Sequence, residues 1–288
     1  MLNYQNIIDL RRCDHSSAPF GELYALVDHA GVPGLAKKLD QRKATWISLF
    51  ANSKDEGAML VAPLLFKVDD EHRMLLKWLC KQGSYASSIL FLASPEPITE
   101  LAQRLTARLD ASLPNDTDIF LRFFDGRVFE NLVSILSVPQ KKAFLSVADN
   151  WWLVTRQGQL HHYKAVYLGS DSNEIPLQIS SQQLNALVDA AEPDKIAQLL
   201  EENVPKEFQG LPTITRHDFI LRHMRAARLV GILEVYQIAL YCALALLYGE
   251  YFSKQEIWAA ALNEVSSGKL DLPTAVAQIE SQQNELGL

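Results

Sequence analysis

The chain contains 288 residues, 48% of them hydrophobic and 21% charged, with a formal net charge of −7. This composition is typical of a globular protein with one large domain or two modest ones, and it excludes the fibrous and disordered classes. A net negative charge provides no general attraction to nucleic acid or to an anionic membrane, so neither is expected as the main ligand.

The three cysteines, Cys13, Cys80 and Cys242, lie far apart and form no Cys-x-x-Cys pair. This usage fits a reducing compartment, and Cys80 and Cys242 fall within apolar patterns that predict small core residues. Charged side chains interrupt residues 1–14, so the N-terminus lacks the apolar segment of a signal peptide. We therefore expect a cytoplasmic location.

The N-terminal half alternates short apolar runs with helix-like patterns, as expected for a mixed α/β lobe with a central sheet. Bulky apolar runs predict strands over Leu23–Asp28, Trp46–Phe50, Ala62–Val68, Ser87–Ser94 and Asp118–Asp125, and a hairpin of Trp151–Thr155 with His161–Leu168. Spaced leucines predict helices over Leu35–Leu39, Met74–Lys81, the residues that follow a Thr99 cap, and Val128–Leu136.

A polar segment, Gly169–Pro176, is predicted to link two lobes, residues 1–169 and residues 177–288. Beyond the linker only helical patterns occur, which predicts an all-α second lobe and an overall α+β or α/β fold. The helices are expected after Ser181, from Pro193, from a Thr215 cap through Leu247, after Ser253, and over Leu272–Glu280, with a loop over Val204–Pro212.

The apolar run Leu229–Gly249 has about the length that a bilayer crossing requires. Glu234 and Gln237 interrupt it, and charged groups at membrane depth are costly. We therefore predict a buried helix and no membrane span.

Sequence signatures of common enzymes are missing, including Gly-x-Ser-x-Gly, Gly-x-x-x-x-Gly-Lys-Ser/Thr and His-Glu-x-x-His. His161 and His162 are neighbours on a predicted strand, so their side chains leave opposite faces and cannot chelate one ion together. His217 and His223 lie on opposed sides of a predicted helix. The expectation is a protein that is not an enzyme and that needs neither metal nor cofactor.

Arg122, Asp125 and Arg127, with Phe124 among them, occupy the junction between a predicted strand and a helix. Two guanidinium groups beside one carboxylate can hold an ion pair that fixes the turn. Alternatively, one arginine remains available to bind a carboxylate or carbonyl of a partner. Both interpretations stay open.

Two further sets of side chains are candidate contacts with a protein partner. Arg222, Arg225 and Arg228 recur every three residues on a predicted helix and form either a solvated face or a basic stripe for an acidic segment, with Tyr236 extending the contact. Trp151 and Trp152 are neighbours on a predicted strand, so at least one is expected to face outward as an anchor.

Several segments together resemble a known family. They are LYALVD (Leu23–Asp28), WISLF (Trp46–Phe50), APLLFKV (Ala62–Val68), LLKWL (Leu75–Leu79), SSILFLASP (Ser87–Pro95) and LRFFDGRVFENLVSIL (Leu121–Leu136). The last is similar to the Arg-Phe-Tyr-Asp-x-Arg core of the effector chaperones, or adaptors, of bacterial type VI secretion. Here Phe124 stands at the tyrosine position and Gly126 where proline is frequent.

The resemblance implies a two-lobed cytoplasmic adaptor that binds a secretion effector and promotes its loading onto the valine-glycine repeat (VgrG) spike protein. It directs attention to Arg122, Asp125 and Arg127, and the partner is expected in a cleft between the lobes. Two alternatives remain: an immunity-type protein that binds a toxin, or an enzyme with an unrecognised site between the lobes.

Overall fold

A computed structural model describes residues 2–10, 21–51 and 61–285. Cys13 and part of the N-terminal segment 1–14 lie outside these ranges. The fold is mixed α+β, as predicted, and the chain divides into two units, Met1–Val188 and Asp189–Leu288.

The described strands are β1 (Glu22–Asp28), β2 (Trp46–Ser48), β3 (Pro63–Lys67), β4 (Ile89–Ser94), β5 (Asp110–Leu113), β6 (Thr117–Phe120), β7 (Asn150–Val154), β8 (Leu160–Lys164) and β9 (Leu177–Gln178). The described α-helices are α1 (Tyr4–Leu10), α2 (Leu35–Gln41), α3 (Arg73–Gly83), α4 (Ile98–Ala107), α5 (Gly126–Ile135), α6 (Val138–Leu145), α7 (Ser181–Asn203), α8 (Pro205–Gly210), α9 (Thr213–Leu229), α10 (Val235–Tyr248), α11 (Glu256–Ser266) and α12 (Leu272–Glu285).

The N-terminal unit is built on a six-stranded sheet with the order β2-β3-β1-β4-β7-β8, in which all neighbouring strands are antiparallel. Its central strands are apolar at nearly every position because both faces are covered. Leu26 and Leu92 pack on one face in a core that includes residues of α4, α5 and α6. Ala25 and Phe91 pack on the other with residues of α1, α2 and α3.

A smaller sheet with the order β6-β5-β9 flanks the first core. The strand predicted to reach Asp125 ends at Phe120, and the next residues form a turn in which the Asp125 N–H donates to the Arg122 carbonyl (3.0 Å). Phe123 and Phe124 are therefore both buried instead of facing opposite sides. Neither β5 nor α6 was predicted from the sequence.

The predicted linker is held against the N-terminal unit. β9 pairs in parallel with β5, and Leu177 and Ile179 belong to the core of this unit. The division between the units falls within α7, whereas the predicted boundary lay at Gly169–Pro176. Polarity of the segment suggested a linker, but backbone pairing places it in the first unit.

Arg108 holds the Gly169–Pro176 segment against the N-terminal unit by binding Asp171. Its side chain is fully buried and donates to both oxygens of Asp171, at 2.7 and 2.8 Å. The remaining donors reach the carbonyls of Phe144, Ala143 and Arg104. Burial alone would raise the pKa of Asp171, but the hydrogen bonds and charge of Arg108 outweigh it and lower the pKa to about 2.

We predict that Asp171→Asn lowers the free energy of unfolding at pH 7 by about 2 kcal/mol. This is the energy that corresponds to the decrease of the Asp171 pKa from 3.8 to about 2 on folding. A carboxyl whose folded pKa is depressed stabilises the fold above its unfolded pKa, and this contribution is lost as the pH falls from about 4 towards 2. Urea unfolding across that range should show the difference from wild type shrinking. Asp110→Asn, at an exposed carboxylate, is the control; an equal loss there would contradict the assignment.

The helical unit has its own core around Phe219, Cys242 and Trp258. The single long helix predicted to run through Leu247 is instead α9 and α10, separated at Gly231, whose φ of 84° ends the first helix. None of the described helices combines the length and the apolar character that a bilayer crossing requires.

Several predicted helix boundaries were wrong. Pro193 does not start a helix but lies inside α7, and the predicted Val204–Pro212 loop contains α8. Thr99 and Thr215 lie within the first turns of their helices, which begin one and two residues earlier, after Pro97 and Pro212. Pro97 and Pro212 are themselves the N-cap residues, with extended ψ angles of 150° and 133°, so each helix begins at the residue after the proline.

Candidate functional site

The arginine turn, which we define as residues 121–127, connects β6 to α5. Asp125 caps α5 by accepting from the Arg127 N–H (2.9 Å), and its carboxylate also accepts from the Arg127 guanidinium at Nε (2.9 Å) and Nη2 (2.6 Å). Asp125 is buried, whereas the Arg127 side chain is 44% exposed. One carboxylate therefore holds one arginine and the start of the helix.

Arg122 has a different carboxylate as its partner. Its Nη2 donates to Asp28 Oδ2 at 3.1 Å, at the end of β1. Asp28 is almost fully buried and also accepts from the Ala30 N–H (3.0 Å). Burial raises the pKa of Asp28, and these two partners offset the effect only in part. The two arginines thus separate onto two carboxylates instead of sharing one.

Aromatic rings support the turn from within. The Arg122 guanidinium lies 5.5 Å from the centre of the Phe124 ring, and Phe124 in turn contacts Phe120 and Phe50 edge-on. Phe124 is buried, so its role is that of a packing platform and not of an exposed contact. Gly126 approaches the Ser87 carbonyl so closely that a Cβ there would lie 2.6 Å from it, a position where proline would also clash.

We predict that Asp125→Ala destabilises the protein by about 1–2 kcal/mol, because it removes a helix cap and a buried acceptor together. Arg127→Ala should cost less than about 1 kcal/mol, since this exposed guanidinium is well solvated. Urea unfolding at pH 7 compares the two variants. A loss for Arg127→Ala equal to that for Asp125→Ala would show that the ion pair, and not the cap, fixes the turn.

Trp151 and Trp152 are both buried, so the expected outward anchor is absent from this pair. β7 is not an edge strand, and layers cover both of its faces. Trp151 stacks on Phe129 and donates its Nε1–H to the Leu145 carbonyl (3.0 Å). Trp152 packs on the opposite face and stacks on His162.

The arginine stripe of α9 is only partly available. Arg222 donates to Glu250 (3.0 Å) and Arg228 to Glu192, so both have partners within the helical unit. Arg225 is exposed and forms no ion pair or hydrogen bond with any residue in the described ranges. A single open cation remains where the sequence suggested three.

The turn that follows α9 exposes large apolar side chains. Leu229 is 87% exposed, Leu233 70% and Tyr236 69%. Ile232 between them is buried, so it anchors the turn in the core of the unit. We use the name hairpin tip for four exposed residues where α9 turns into α10: Arg225, Leu229, Leu233 and Tyr236. Arg225 and Tyr236 are among the contacts predicted from the sequence, but the two leucines are not, because the apolar pattern predicted one continuous helix through them. Gly231 is the residue that signals the break.

His161 and His162 are exposed and stack on aromatic rings, whereas Cys80 and Cys242 are buried. His162 stacks on Trp152 and His161 on Tyr163, which confirms opposite faces for the two rings. Burial raises the pKa of Cys80 to about 11 and that of Cys242 to about 12, as expected for thiols in the core. Within the described ranges no group of three or more His, Cys, Asp or Glu side chains is arranged to hold a metal ion.

A shallow groove of about 940 Å³ lies in the N-terminal unit between the β5–β6 turn and the start of α7. Its lining is rich in amides and hydroxyls, and these already bond to one another and to the backbone. Gln183 Nε2 donates to Gln140 Oε1 (2.8 Å), and Gln140 Nε2 donates to the Gln178 carbonyl (2.8 Å). Asp116 is the one acidic side chain in its described lining.

Comparison with known proteins gives one match. Residues 23–143 match the model of a family described as a domain of unknown function (DUF4123). The matched region includes β1 from its second residue, β2, β3 and β4 of the large sheet, β5 and β6 of the small sheet, and the arginine turn, and it ends before the helical unit. No curated protein and no solved structure matches the chain.

Proposed function

We propose that this chain is a non-enzymatic cytoplasmic adaptor that binds a type VI secretion effector and promotes its loading onto the VgrG spike. The family match covers the region that carries the resemblance, including the Leu121–Leu136 segment. The match itself names only a domain of unknown function. The resemblance supplies the effector and the spike, and the exposed surface described above supplies a place to bind.

The proposal of a protein-binding role rests on the exposed apolar side chains of the hairpin tip. Three large apolar side chains, Leu229, Leu233 and Tyr236, are more than two thirds exposed within one short stretch. Covering each large apolar side chain removes it from water and stabilises a complex by about 25 cal/mol per Å² of apolar area. Clustered, exposed apolar groups of this kind mark sites of protein association.

Arg225 gives this surface a charge preference. It precedes Leu229 by one helical turn and lies on the same face of α9. Since no described residue neutralises it, an acidic group in the partner gains an ion pair without displacing an existing one. The partner segment is therefore expected to be apolar with an adjacent Asp or Glu, which selects the partner more than it adds affinity.

The arginine turn contributes in a different way. Asp125 in the turn is engaged with Arg127, and Asp28 at the end of β1 is engaged with Arg122 and a backbone N–H group. This pairing favours the structural interpretation of Arg127 and Asp125, because their charges stabilise each other and the helix start.

The test is co-expression of the chain with the effector encoded nearest to its gene, followed by affinity capture and size-exclusion chromatography. We expect a stable complex with the wild-type chain. The triple variant Leu229→Ser, Leu233→Ser, Tyr236→Ser should capture at least about ten times less effector, because about 1.4 kcal/mol of lost apolar contact is tenfold in affinity.

Tyr251→Ser is the matched control, since Tyr251 is 72% exposed but lies beyond the far end of α10. It should capture effector as the wild type does. Absence of any complex with the wild type contradicts the adaptor function, and unchanged capture by the triple variant contradicts the role of the hairpin tip. If the complex forms but abolishes the effector's toxic activity, the immunity alternative replaces the adaptor.

Charge tests the same surface independently. Arg225→Glu should weaken effector capture several-fold, and the loss should shrink in high salt because ions screen exposed charges. Arg222→Glu is not a suitable control, since Arg222 already pairs with Glu250. Lys254→Glu, at an exposed cation distant in sequence from the tip, is preferable. Equal capture by wild type and Arg225→Glu at low salt would leave Arg225 as a solvated side chain.

A further inference from the structure

β6 is the last strand of the small sheet. It pairs with β5 on one side, and within the part of the chain that the structure describes no strand pairs with its other side. An edge strand presents unpaired backbone N–H and C=O groups, which can accept a further strand.

The pairing of β6 with β5 shows which backbone groups of β6 face away from the sheet. The Leu121 N–H donates to the Leu109 carbonyl at 2.7 Å, and Ile119 lies opposite Ala111. Because alternate residues of an antiparallel strand bond to the same neighbour, Ile119 and Leu121 bond towards β5. The N–H and C=O groups of Asp118 and Phe120 therefore point away from β5, towards solvent.

The side chains alternate in the same way as far as the arginine turn. Ile119 and Leu121 pack against the core, whereas Asp118, Phe120 and Arg122 are exposed. Phe120 is 50% exposed and the Arg122 side chain 49%. The outer face of this edge thus presents an anion, an aromatic ring and a cation at equal spacing.

This order makes the edge complementary to itself. If the edge is turned around by a two-fold axis at Phe120, the position of Asp118 coincides with that of Arg122, and the ring coincides with itself. A contact between identical surfaces related by a two-fold axis requires this kind of symmetry. A second copy of the chain offers the opposite charge at both positions.

We infer that two copies of this chain associate through antiparallel pairing of their β6 edges, with Phe120 of one copy opposite Phe120 of the other. Asp118 of each copy then lies opposite Arg122 of its partner. The two small sheets become one continuous six-stranded sheet across the dimer. The inference does not depend on the proposed function, since it uses neither the hairpin tip nor an effector.

The pairing keeps the bonds that each copy already has. Arg122 uses Nη2 for Asp28, while its Nε and Nη1 bond to no residue in the described ranges. The Arg122 carbonyl accepts from Asp125, but the Arg122 N–H remains available to a partner strand. The two-fold arrangement therefore supplies about four backbone hydrogen bonds in addition to the two ion pairs and the ring contact.

The contact is small, because each copy contributes one short strand. Interfaces below about 1,200 Å² are usually weak and transient. The dimer is therefore expected to form at high protein concentration and to dissociate on dilution. Salt should weaken it, since both ion pairs are partly exposed.

Sedimentation equilibrium of the full chain over about 5 to 500 µM, a range that covers weak complexes, tests the inference. The wild type should show a concentration-dependent monomer–dimer equilibrium. Asp118→Lys places a cation opposite Arg122, and Arg122→Glu places an anion opposite Asp118, so each variant alone should associate at least about tenfold more weakly.

Mixing the two charge variants is the decisive measurement. In a mixed dimer Lys and Arg of one copy face Glu and Asp of the other, so association should return to within about threefold of wild type. Glu71→Lys, at an exposed acid outside both sheets, is the matched control and should associate as wild type does.

Arg122→Glu places a second carboxylate near Asp28 and so carries a risk of misfolding. Phe120→Ser avoids this contact and should also weaken association at least tenfold. A wild-type chain that stays monomeric throughout the range overturns the inference. So does a dimer that persists unchanged in Asp118→Lys and Phe120→Ser. The hairpin-tip triple variant should dimerise normally, so failure here and failure of the adaptor function are distinguishable.

Discussion

Burial of both faces of the central sheet is the constraint on which the N-terminal unit depends. β1 and β4 lie at its centre and carry apolar side chains on both sides. Each face then needs a covering layer, which α1–α3 provide on one side and α4–α6 on the other. The charged groups of β1, Glu22 and Asp28, lie at its two ends, and the arginine turn is bonded to Asp28. The position of the candidate site therefore follows from the packing of the sheet.

The sequence predicted what depends on apolar pattern alone. The runs at Leu23–Asp28 and Ser87–Ser94 contain enough bulky residues to identify buried strands, and both predictions were confirmed. The hairpin around Gly158 was confirmed for the same reason. These elements needed no information about distant parts of the chain.

Features set by long-range contacts were not predictable in this way. The alternation through Phe123 and Phe124 resembled a strand, but tertiary packing buries both rings on a turn. The pairing of Arg108 with Asp171 joins residues far apart in sequence, and no local pattern indicates it. Gly231 was readable as a helix end, yet the apolar residues on both sides suggested continuity. The surface at the hairpin tip was missed as a result.

The candidate surfaces differ in what their residues do. At the arginine turn, the charged groups bind other groups of the same fold: Asp125 caps α5, and Arg122 pairs with Asp28 at the end of β1. At the hairpin tip, exposed apolar groups lie next to Arg225, which has no ion-pair partner among the described residues. At the β6 edge, Phe120 lies next to Arg122, whose guanidinium is bonded through Nη2 alone within the described ranges. Candidate residues taken from the sequence by type alone mixed these roles: Trp151 and Phe124 stabilise the core, whereas Arg225 and Tyr236 face solvent.

The buried Arg108 has a consequence for where the N-terminal unit can be separated from the rest of the protein. Every donor of its guanidinium is used, and Asp171 supplies the compensating charge. A chain cut at Gly169, where the sequence looks most like a linker, would leave that charge buried without a counterion. It would also remove β9 from the edge of β5. A fragment that keeps this ion pair, β9 and the buried Ile179 must therefore extend at least to the start of α7 at Ser181.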